Sequence, residues 1–460
     1  MFDLSNLVGV SKETLLILVA VAGIFALLFF VMKTKLHAFV ALLLVSLVVG
    51  VLAGMPLEQV VASVQTGMGG TLGFVAVVVG LGAMFGQMLE VSGGAERLAQ
   101  TIIKKFGEEK APWALGITGF LVAIPVFFDV GFIILVPIVY GLAKKTGRSL
   151  LHYGIPLLAG LAVTHSFIPP TPGPIAVADL IGADMGWVIL FGTVAGIPAM
   201  ILAGPIFGRW IAKRIHVSTP DYMESNDEIA YTKDLPSFGL IVSLIMIPLA
   251  LILLNTVSGV LIDDKESIIR QVLTFLGHPF VALTIATLLT FTLLGTKRGY
   301  TRQEVQDIAT KALEPAGIII LVTGAGGVFK QVLIDSGVGK VLGDMMAGSP
   351  LPPILLAFLI AMAVRIAQGS ATVSMVTAAG LSAPLIDTLN ITGPYLGLVV
   401  IAIASGATVF SHVNDSGFWL VNRYFGLDVK DTLKSWTVME TIIGFTGLAV
   451  VATLGVIIGY

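Results

Sequence analysis

The chain of 460 residues contains no cysteine, and only 12% of its residues are charged. Without cysteine it can form neither disulfides nor thiolate sites. Its formal net charge of -2 does not fit a nucleic-acid partner, because such partners require basic patches. No GxxxxGK[ST] loop for nucleotide phosphates occurs, so transport driven by ATP hydrolysis on this chain is not expected. We expect neither a bound metal nor an organic cofactor.

Hydrophobic residues make up 56% of the chain, and the apolar runs repeatedly reach the ~20 residues that cross the core of a bilayer. The sequence therefore predicts an all-α polytopic membrane protein surrounded by lipid. We interpret Lys12 to Met32 as the first span, because it lacks the basic start and the cleavage site of a signal peptide. Ten spans are predicted, near residues 12–32, 36–54, 70–90, 152–170, 187–208, 238–258, 272–295, 312–334, 393–413 and 436–458.

Lysine and arginine clusters give these spans an orientation. Lys33 and Lys35 follow the first span, which places its C-terminal end in the cytoplasm by the positive-inside rule. With ten spans, five further basic clusters fall on the same side, and both chain termini lie outside. These clusters lie near residues 97–105, 144–148, 209–214, 297–302 and 430–434.

Two apolar segments do not fit as full crossings. Pro112 to Leu142 must begin and end in the cytoplasm, and its 31 residues reach only about 46 Å as a helix, short of the ~60 Å of two crossings. We predict a re-entrant hairpin at about 112–142, with its tip near residues 125–131. A second hairpin is predicted at about 351–385, with its tip near residues 368–372. It enters from the opposite side, because its flanks are poor in Lys and Arg.

An internal repeat relates the two halves of the chain. Residues 80–98 and 324–342 share eight identities in nineteen aligned positions, and the predicted spans that carry them run in opposite directions. Such an inverted-topology repeat is typical of secondary transporters. The predicted halves are residues 1–215 and 237–460, joined by an acidic segment, 216–236, that we interpret as a cytoplasmic linker.

Two of the predicted spans are broken. Residues 163–174 are rich in proline, and residues 410–419 carry several polar side chains. Backbone groups freed from helical bonding are costly in hydrocarbon, so such breaks persist only inside protein or beside a polar cavity. Paired breaks in the two halves predict a transport site. We expect the first break chiefly to shape the cavity and the second to supply more of its polar contacts.

Asp129 lies at the first predicted hairpin tip, and Arg365 lies just before the second. An ionised carboxylate is costly at the centre of a membrane. Asp129 therefore carries a coupling proton, accepts hydrogen bonds from substrate hydroxyls, or caps the helix that follows. The Arg365 cation either binds a substrate carboxylate or pairs with an acid such as Asp129 or Asp415.

The broken spans contribute further candidates. His165 and His412 can change charge near physiological pH, which suits proton coupling or bonding to a polyol. Alternatively, each is a neutral histidine bonded to a freed backbone carbonyl. Asn414 and Asp415 suit a cavity lining, although they can instead cap the helix that follows. Together with Asp129, the two histidines and Asp415 are the candidates for proton coupling.

The second hairpin tip also carries candidates for substrate binding. Gln368, Gly369, Ser370 and Thr372 offer small polar groups and backbone amides that suit a polyhydroxylated anion. Small residues in such a run can instead serve tight helix packing.

Several motifs together are similar to those of one family. They are Gly69-Gly-Thr-Leu-Gly73, Phe128-Asp-Val-Gly-Phe132, Val163-Thr-His165, Pro169-Pro-Thr-Pro-Gly-Pro174, Gly369-Ser-Ala-Thr-Val373 and Ser411-His-Val-Asn-Asp415. Along almost its whole length the chain resembles the gluconate:proton symporter family of the ion-transporter superfamily. The resemblance adds Phe128, Gly131 and Thr164 to the expected substrate-binding residues.

The resemblance implies proton-coupled uptake of gluconate or a related sugar acid, with sodium as the alternative coupling ion. It also implies a bacterial inner (cytoplasmic) membrane and a homodimer with an elevator-like transport domain built around the two hairpins. The alternative substrate is D-serine or another small hydroxylated carboxylate. A channel is a second class of function and an intramembrane hydrolase a third, but the acids and histidines show no catalytic spacing, so we do not expect an enzyme.

Overall fold

The computed structural model describes residues 10–219, 235–262, 264, 266–338, 341 and 351–459. Throughout these residues the chain forms helices joined by loops, with no β-strand. This agrees with the predicted all-α membrane protein, because a helix satisfies its own backbone hydrogen bonds in lipid. Most of the predicted linker, 216–236, and Leu342 of the internal repeat lie outside the described residues.

The described helices are numbered here in chain order. In the first half they are α1 (Lys12–Met32), α2 (Ala38–Leu52), α3 (Leu57–Val91), α4 (Gly94–Phe106), α5 (Ala111–Val122), α6 (Phe128–Thr146), α7 (Leu150–Phe167), α8 (Pro172–Ile181), α9 (Met185–Ile201) and α10 (Phe207–Ala212). In the second half they are α11 (Phe238–Leu261), α12 (Ile268–Leu276), α13 (Pro279–Thr290), α14 (Arg302–Asp335), α15 (Pro353–Gln368), α16 (Ala371–Thr388), α17 (Pro394–Gly406), α18 (Ser416–Phe425), α19 (Val429–Thr432) and α20 (Val438–Ile458). π-helical turns at Leu202–Ile206 and Leu433–Thr437 join α9 to α10 and α19 to α20.

Eight helical stretches among the described residues are long and apolar enough to cross a membrane. They are Lys12–Val31, Leu57–Val91, Leu150–Ile181, Met185–Ala212, Phe238–Leu261, Pro279–Arg298, Arg302–Asp335 and Val429–Ile458. The predicted spans near 36–54 and 393–413 coincide with shorter apolar helices, α2 and α17.

Three predicted spans differ from the helices at their starts, and one of them is the span near 312–334, whose helix α14 already begins at Arg302. The span predicted near 70–90 is the C-terminal part of α3, which already begins at Leu57. The span predicted near 272–295 covers two helices, because α12 ends at Leu276 and α13 starts at Pro279. Proline lacks a backbone N–H, so it interrupts a continuing helix but is well tolerated at the first position of a new one.

The internal repeat marks equivalent ends of α3 and α14. Ser92 and Ser336 are the C-caps, and each hydroxyl donates to the carbonyl oxygen three residues earlier, at 2.9 and 3.2 Å. Gly93 and Gly337 follow with φ of 78° and 79°, a left-handed conformation that glycine adopts without steric cost. The shared residues therefore encode the same helix stop in both halves.

The same order of elements follows these two stops. In each half a helical hairpin is followed by a broken helix and then by a long helix with a π-helical turn. The hairpins are α5–α6 and α15–α16, and they turn at residues 123–127 and 369–370. The broken helices are α7–α8 and α17–α18, and the long helices are α9–α10 and α19–α20.

Glycines let the hairpins and the first break approach the long helices α3 and α14, which pack along each other. A Cβ on Gly86 of α3 would overlap the Pro125 carbonyl oxygen at the first hairpin turn, and Gly82 lies against Pro170 in the first break. In α14, a Cβ on Gly326 would overlap Val376 of the second hairpin. The long helices thus position both hairpins and the first break around one centre.

Candidate functional site

A cavity of about 480 Å³ lies where both hairpin turns and both helix breaks meet. Its walls also include the middle of α14 and the start of α20. The polar and charged side chains that line it are Asp129, His165, Ser166, Arg365, Ser370, Thr372, Asp415, Ser416 and Glu440. The volume falls within the ~300–1,000 Å³ that is usual for small-molecule sites.

Arg365 is buried beside the cavity, with 2% of its surface exposed. Its Nη1 donates to the carbonyl oxygen of Gly369 at the end of α15, and its Nη2 donates to Oδ2 of Asp415 at 2.6 Å. Of the alternatives that the sequence offers for this cation, the structure contains the pair with Asp415. The pair ties the second hairpin to the second helix break.

Asp415 holds that break together. Its Oδ1 accepts from the backbone N of Gly417 at 3.2 Å, which makes it the N-cap of α18. Its Oδ2 also accepts from the Ser411 hydroxyl at 2.5 Å, and Ser411 Oγ in turn accepts from Nε1 of Trp436 at 2.7 Å.

The second hairpin turn is fitted closely to the same break. Gly369 has a φ of 86°, and a Cβ there would overlap the backbone of Asn414. The Asn414 amide donates to the Ile366 carbonyl oxygen at 2.9 Å. Gly369 and Asn414 therefore shape the turn from behind, and neither lines the cavity.

On the opposite wall, Asp129 lies in the first turn of α6 and opens to the cavity. The N-cap of α6 is Phe127 and no side chain bonds the cap, so Asp129 does not cap this helix. His165 lies near the end of α7, with its ring centroid 6.5 Å from those of Phe127 and Phe128. In the described part of the chain, its Nδ1 has no hydrogen-bond partner.

Three helix N-termini point their first turns at the cavity. Asp129 belongs to the first turn of α6, Ser370 is the N-cap of α16, and Ser416 begins α18. Because backbone N–H groups at a helix N-terminus are unpaired and carry partial positive charge, this arrangement favours an anion. The Ser370 and Thr372 hydroxyls add polar groups at the same place.

The structure separates the predicted site residues into two groups. Those that line the cavity are Phe128, Asp129, His165, Arg365, Ser370, Thr372 and Asp415. Those that lie behind its walls are Gly131, Thr164, Gly369, His412 and Asn414. Within the described residues, Thr164 Oγ1 and His412 Nδ1 are buried without hydrogen-bond partners, as are both amide atoms of Gln368.

Sequence reasoning missed Glu440, Trp436, Ser166 and Ser416, which also line the cavity. Glu440 had a usable signal, because an acid inside an apolar span is rare and is commonly functional. Ser166 and Ser416 give no such signal in the sequence, because their position at the cavity depends on how the broken helices turn.

Two other cavities lie away from this centre. One, of about 670 Å³, lies between α12 and the start of α13, and it contains Arg270 and His278 but no carboxylate. The other, of about 510 Å³, is lined by basic side chains at the start of α7 and the end of α10. Neither contains a hairpin turn or a helix break.

Comparison with known proteins gives one consistent result. A family model described as GntP family permease matches residues 14–457. The chain is 45% identical over 435 residues to a low-affinity gluconate transporter of Escherichia coli K12, covering 95% of this chain and 97% of that protein. It is 41% identical over 453 residues to a gluconate permease of Pseudomonas aeruginosa PAO1, covering 98% and 100%.

A solved structure shares the fold. The YdaH transporter of Alcanivorax borkumensis superposes with a TM-score of 0.64 over 92% of this chain and 99% of that chain, at 13% sequence identity. At this identity the likeness concerns the architecture of the helices and not the substrate.

Proposed function

Because the chain belongs to the GntP family of permeases, we propose that it takes up gluconate or a closely related sugar acid together with protons across the bacterial inner membrane. It is a multi-pass membrane transporter and not an enzyme. Both relatives named above are described as carrying gluconate.

One observation supports an anionic, hydroxylated substrate most directly, namely the three helix N-termini that meet at the cavity. We assign the substrate carboxylate to the first turns of α16 and α18, where the N–H groups of Val373 and Gly417 bond the caps Ser370 and Asp415 and the remaining backbone N–H groups face the substrate. The substrate hydroxyls are assigned to Asp129, His165, Ser370 and Thr372. Arg365 then acts through its pair with Asp415, which holds α16 and α18 at a fixed separation.

For proton coupling, Asp129, His165, His412 and Asp415 remain the proposed candidates. Of these, Asp129, His165 and Asp415 line the cavity, whereas His412 does not. Gly131, Thr164, Gly369, His412 and Asn414 are proposed to position the groups that touch the substrate.

Movement of the substrate is proposed to follow from the repeat of elements. With ten spans, inverted halves and hairpins that enter from opposite sides, the cavity can open to either side of the membrane without a continuous pore. We further propose an elevator-like motion of the hairpins and broken helices against the long helices, in a homodimer. Protons, not sodium, drive the cycle.

Competition for uptake tests the substrate. Purified protein in proteoliposomes should show saturable uptake of labelled gluconate that unlabelled gluconate suppresses and an equal concentration of D-serine does not. Uptake that D-serine suppresses and unlabelled gluconate does not would favour the alternative substrate. Flux that rises linearly with gluconate concentration, without saturation, would instead indicate a channel.

A further inference from the structure

Glu440 is a buried acid of the cavity that neither the repeat nor the proposed substrate contacts account for. It lies one turn from Trp436, near the start of α20, and only 4% of its surface is exposed. Its Oε1 is fully enclosed and has no hydrogen-bond partner among the described residues. A carboxylate enclosed in this way is strongly disfavoured unless a cation or donors compensate it.

The cation beside Glu440 is already engaged. Arg365 and Asp415 are the charged groups whose fields reach Glu440, and Arg365 donates to Asp415 and to Gly369. Asp129 and His165 face the same space from α6 and α7. Because Arg365 already bonds other groups, it does not compensate an ionised Glu440 carboxylate. The Glu440 carboxyl group is therefore stabilised in its neutral form, which carries a proton.

The charge of the cavity links this proton to an anionic substrate. Asp129, Asp415 and Glu440 contribute three negative charges when ionised, and Arg365 contributes one positive charge, which leaves a formal charge of -2 with His165 neutral. An anion is repelled by such a site. Each proton bound there raises the affinity for the anion, and by linkage the anion raises the affinity for the proton by the same factor.

The other two acids are less suited to hold that proton. Asp415 accepts hydrogen bonds from Arg365, Ser411 and Gly417, so both of its oxygen atoms are already bonded. Asp129 opens to the cavity and is not enclosed as Glu440 is.

Building on the proposed function, we infer that Glu440 is the proton-binding site that couples the proton gradient to substrate transport. The Glu440 carboxylate takes a proton when the cavity opens to the side of higher proton concentration, and the substrate anion binds with it. When the cavity opens to the other side, the substrate leaves and the O–H bond releases its proton there. Asp129, in contact with the cavity, lies on the path of that proton.

The test is proton uptake on substrate binding, measured with a pH indicator in weakly buffered detergent solution. Wild-type protein should take up protons when gluconate is added, and Glu440→Gln should take up one proton fewer per gluconate bound. In proteoliposomes the same variant should lose gradient-driven accumulation, and its gluconate exchange should become independent of pH. Proton uptake equal to that of the wild type would overturn the assignment.

Two further variants make the result specific. Glu90→Gln is the matched control, because Glu90 is also an acid inside an apolar helix but bonds Gln87 and lies outside the cavity; it should retain wild-type proton uptake. Glu440→Asp keeps an acid but moves it by one methylene, so its pH profile of exchange should shift. If Glu440→Gln does not bind gluconate at all, an unshifted profile in Glu440→Asp overturns the inference.

The failure of this inference differs from that of the proposed function. Wild-type accumulation that ignores a proton gradient would contradict proton-coupled uptake itself. Wild-type accumulation that follows the gradient, together with equal accumulation in Glu440→Gln, would remove only Glu440 from the mechanism.

Discussion

Arg365 and Asp415 form an ion pair in the wall of the cavity. The pair connects the end of α15 with the N-cap of α18, so it fixes the distance between two of the helix N-termini at the cavity. The sequence offers two roles for the Arg365 cation, substrate binding and pairing with an acid. In the structure its buried guanidinium pairs with Asp415.

We predict that breaking this pair destabilises the protein. Arg365→Met should lower the free energy of unfolding by about 3–5 kcal/mol, because it leaves the Asp415 carboxylate buried without its cation. Adding Asp415→Asn should recover part of that loss, since the uncompensated charge is then removed. Thermal unfolding of the two single variants and the double variant in detergent would measure the coupling.

Additive effects of the two substitutions would contradict the prediction. Residues that bond each other should show an interaction free energy of roughly 0.5–3 kcal/mol in such a cycle.

Three of the four charged residues that line the cavity in the described part of the chain are predicted from the sequence, and the fourth, Glu440, is not. Asp129, Arg365 and Asp415 stand out in an apolar sequence because burying a charge is costly, and all three line the cavity. Thr164 and Asn414 are in the correct segments but face away from it. The face that a residue presents depends on how its helix is rotated by packing, and local sequence does not specify this rotation.

At the scale of the element, the turn of the second hairpin depends on the absence of a side chain. Gly369→Ala should reduce both stability and gluconate uptake, because it combines a positive φ with an overlap against Asn414. Gly337→Ala is the matched control: its φ is 79° but no atom lies within 4 Å of the added Cβ. It should cost only about 1–2 kcal/mol of left-handed strain and retain uptake. Equal losses of uptake in the two variants would contradict a special role for the approach to Asn414.

Helix positions followed from hydrophobic runs, whereas helix ends depended on local chemistry. The helix stops at Ser92 and Ser336 were visible as a repeat of sequence, and they are capped alike in both halves. The sequence does not predict the start of α3 at Leu57, because the span is predicted from apolar residues. The polar residues that follow Leu57 do not interrupt the helix. The sequence does not predict the separation of α12 from α13, because the apolar run continues through Pro279.

At the scale of the whole molecule, the predicted inversion of the two halves is the basis of the proposed alternating access. The absence of cysteine allows single introduced cysteines to report the side of the membrane. Lys145 lies in the last turn of α6, at the end of the first hairpin, and Thr392 follows the second hairpin; both are exposed. A membrane-impermeant maleimide added to intact cells should label Thr392→Cys at once and Lys145→Cys only after permeabilisation. Labelling of both positions from the same side would contradict the inversion.

The cavity, the repeat and the family together support a transporter in which an anion and a proton share one site. In the proposed mechanism the acids bind the proton, the helix N-termini attract the anion, and the hairpins close the site on either side. In this account the proton gradient is the source of energy for accumulation.

The central claim is tested most directly by accumulation of labelled gluconate in proteoliposomes under an imposed inward proton gradient. The account predicts an internal concentration above the external one, which collapses when a proton ionophore is added and does not depend on sodium. Accumulation that is unchanged by the ionophore, or that requires a sodium gradient, would contradict it.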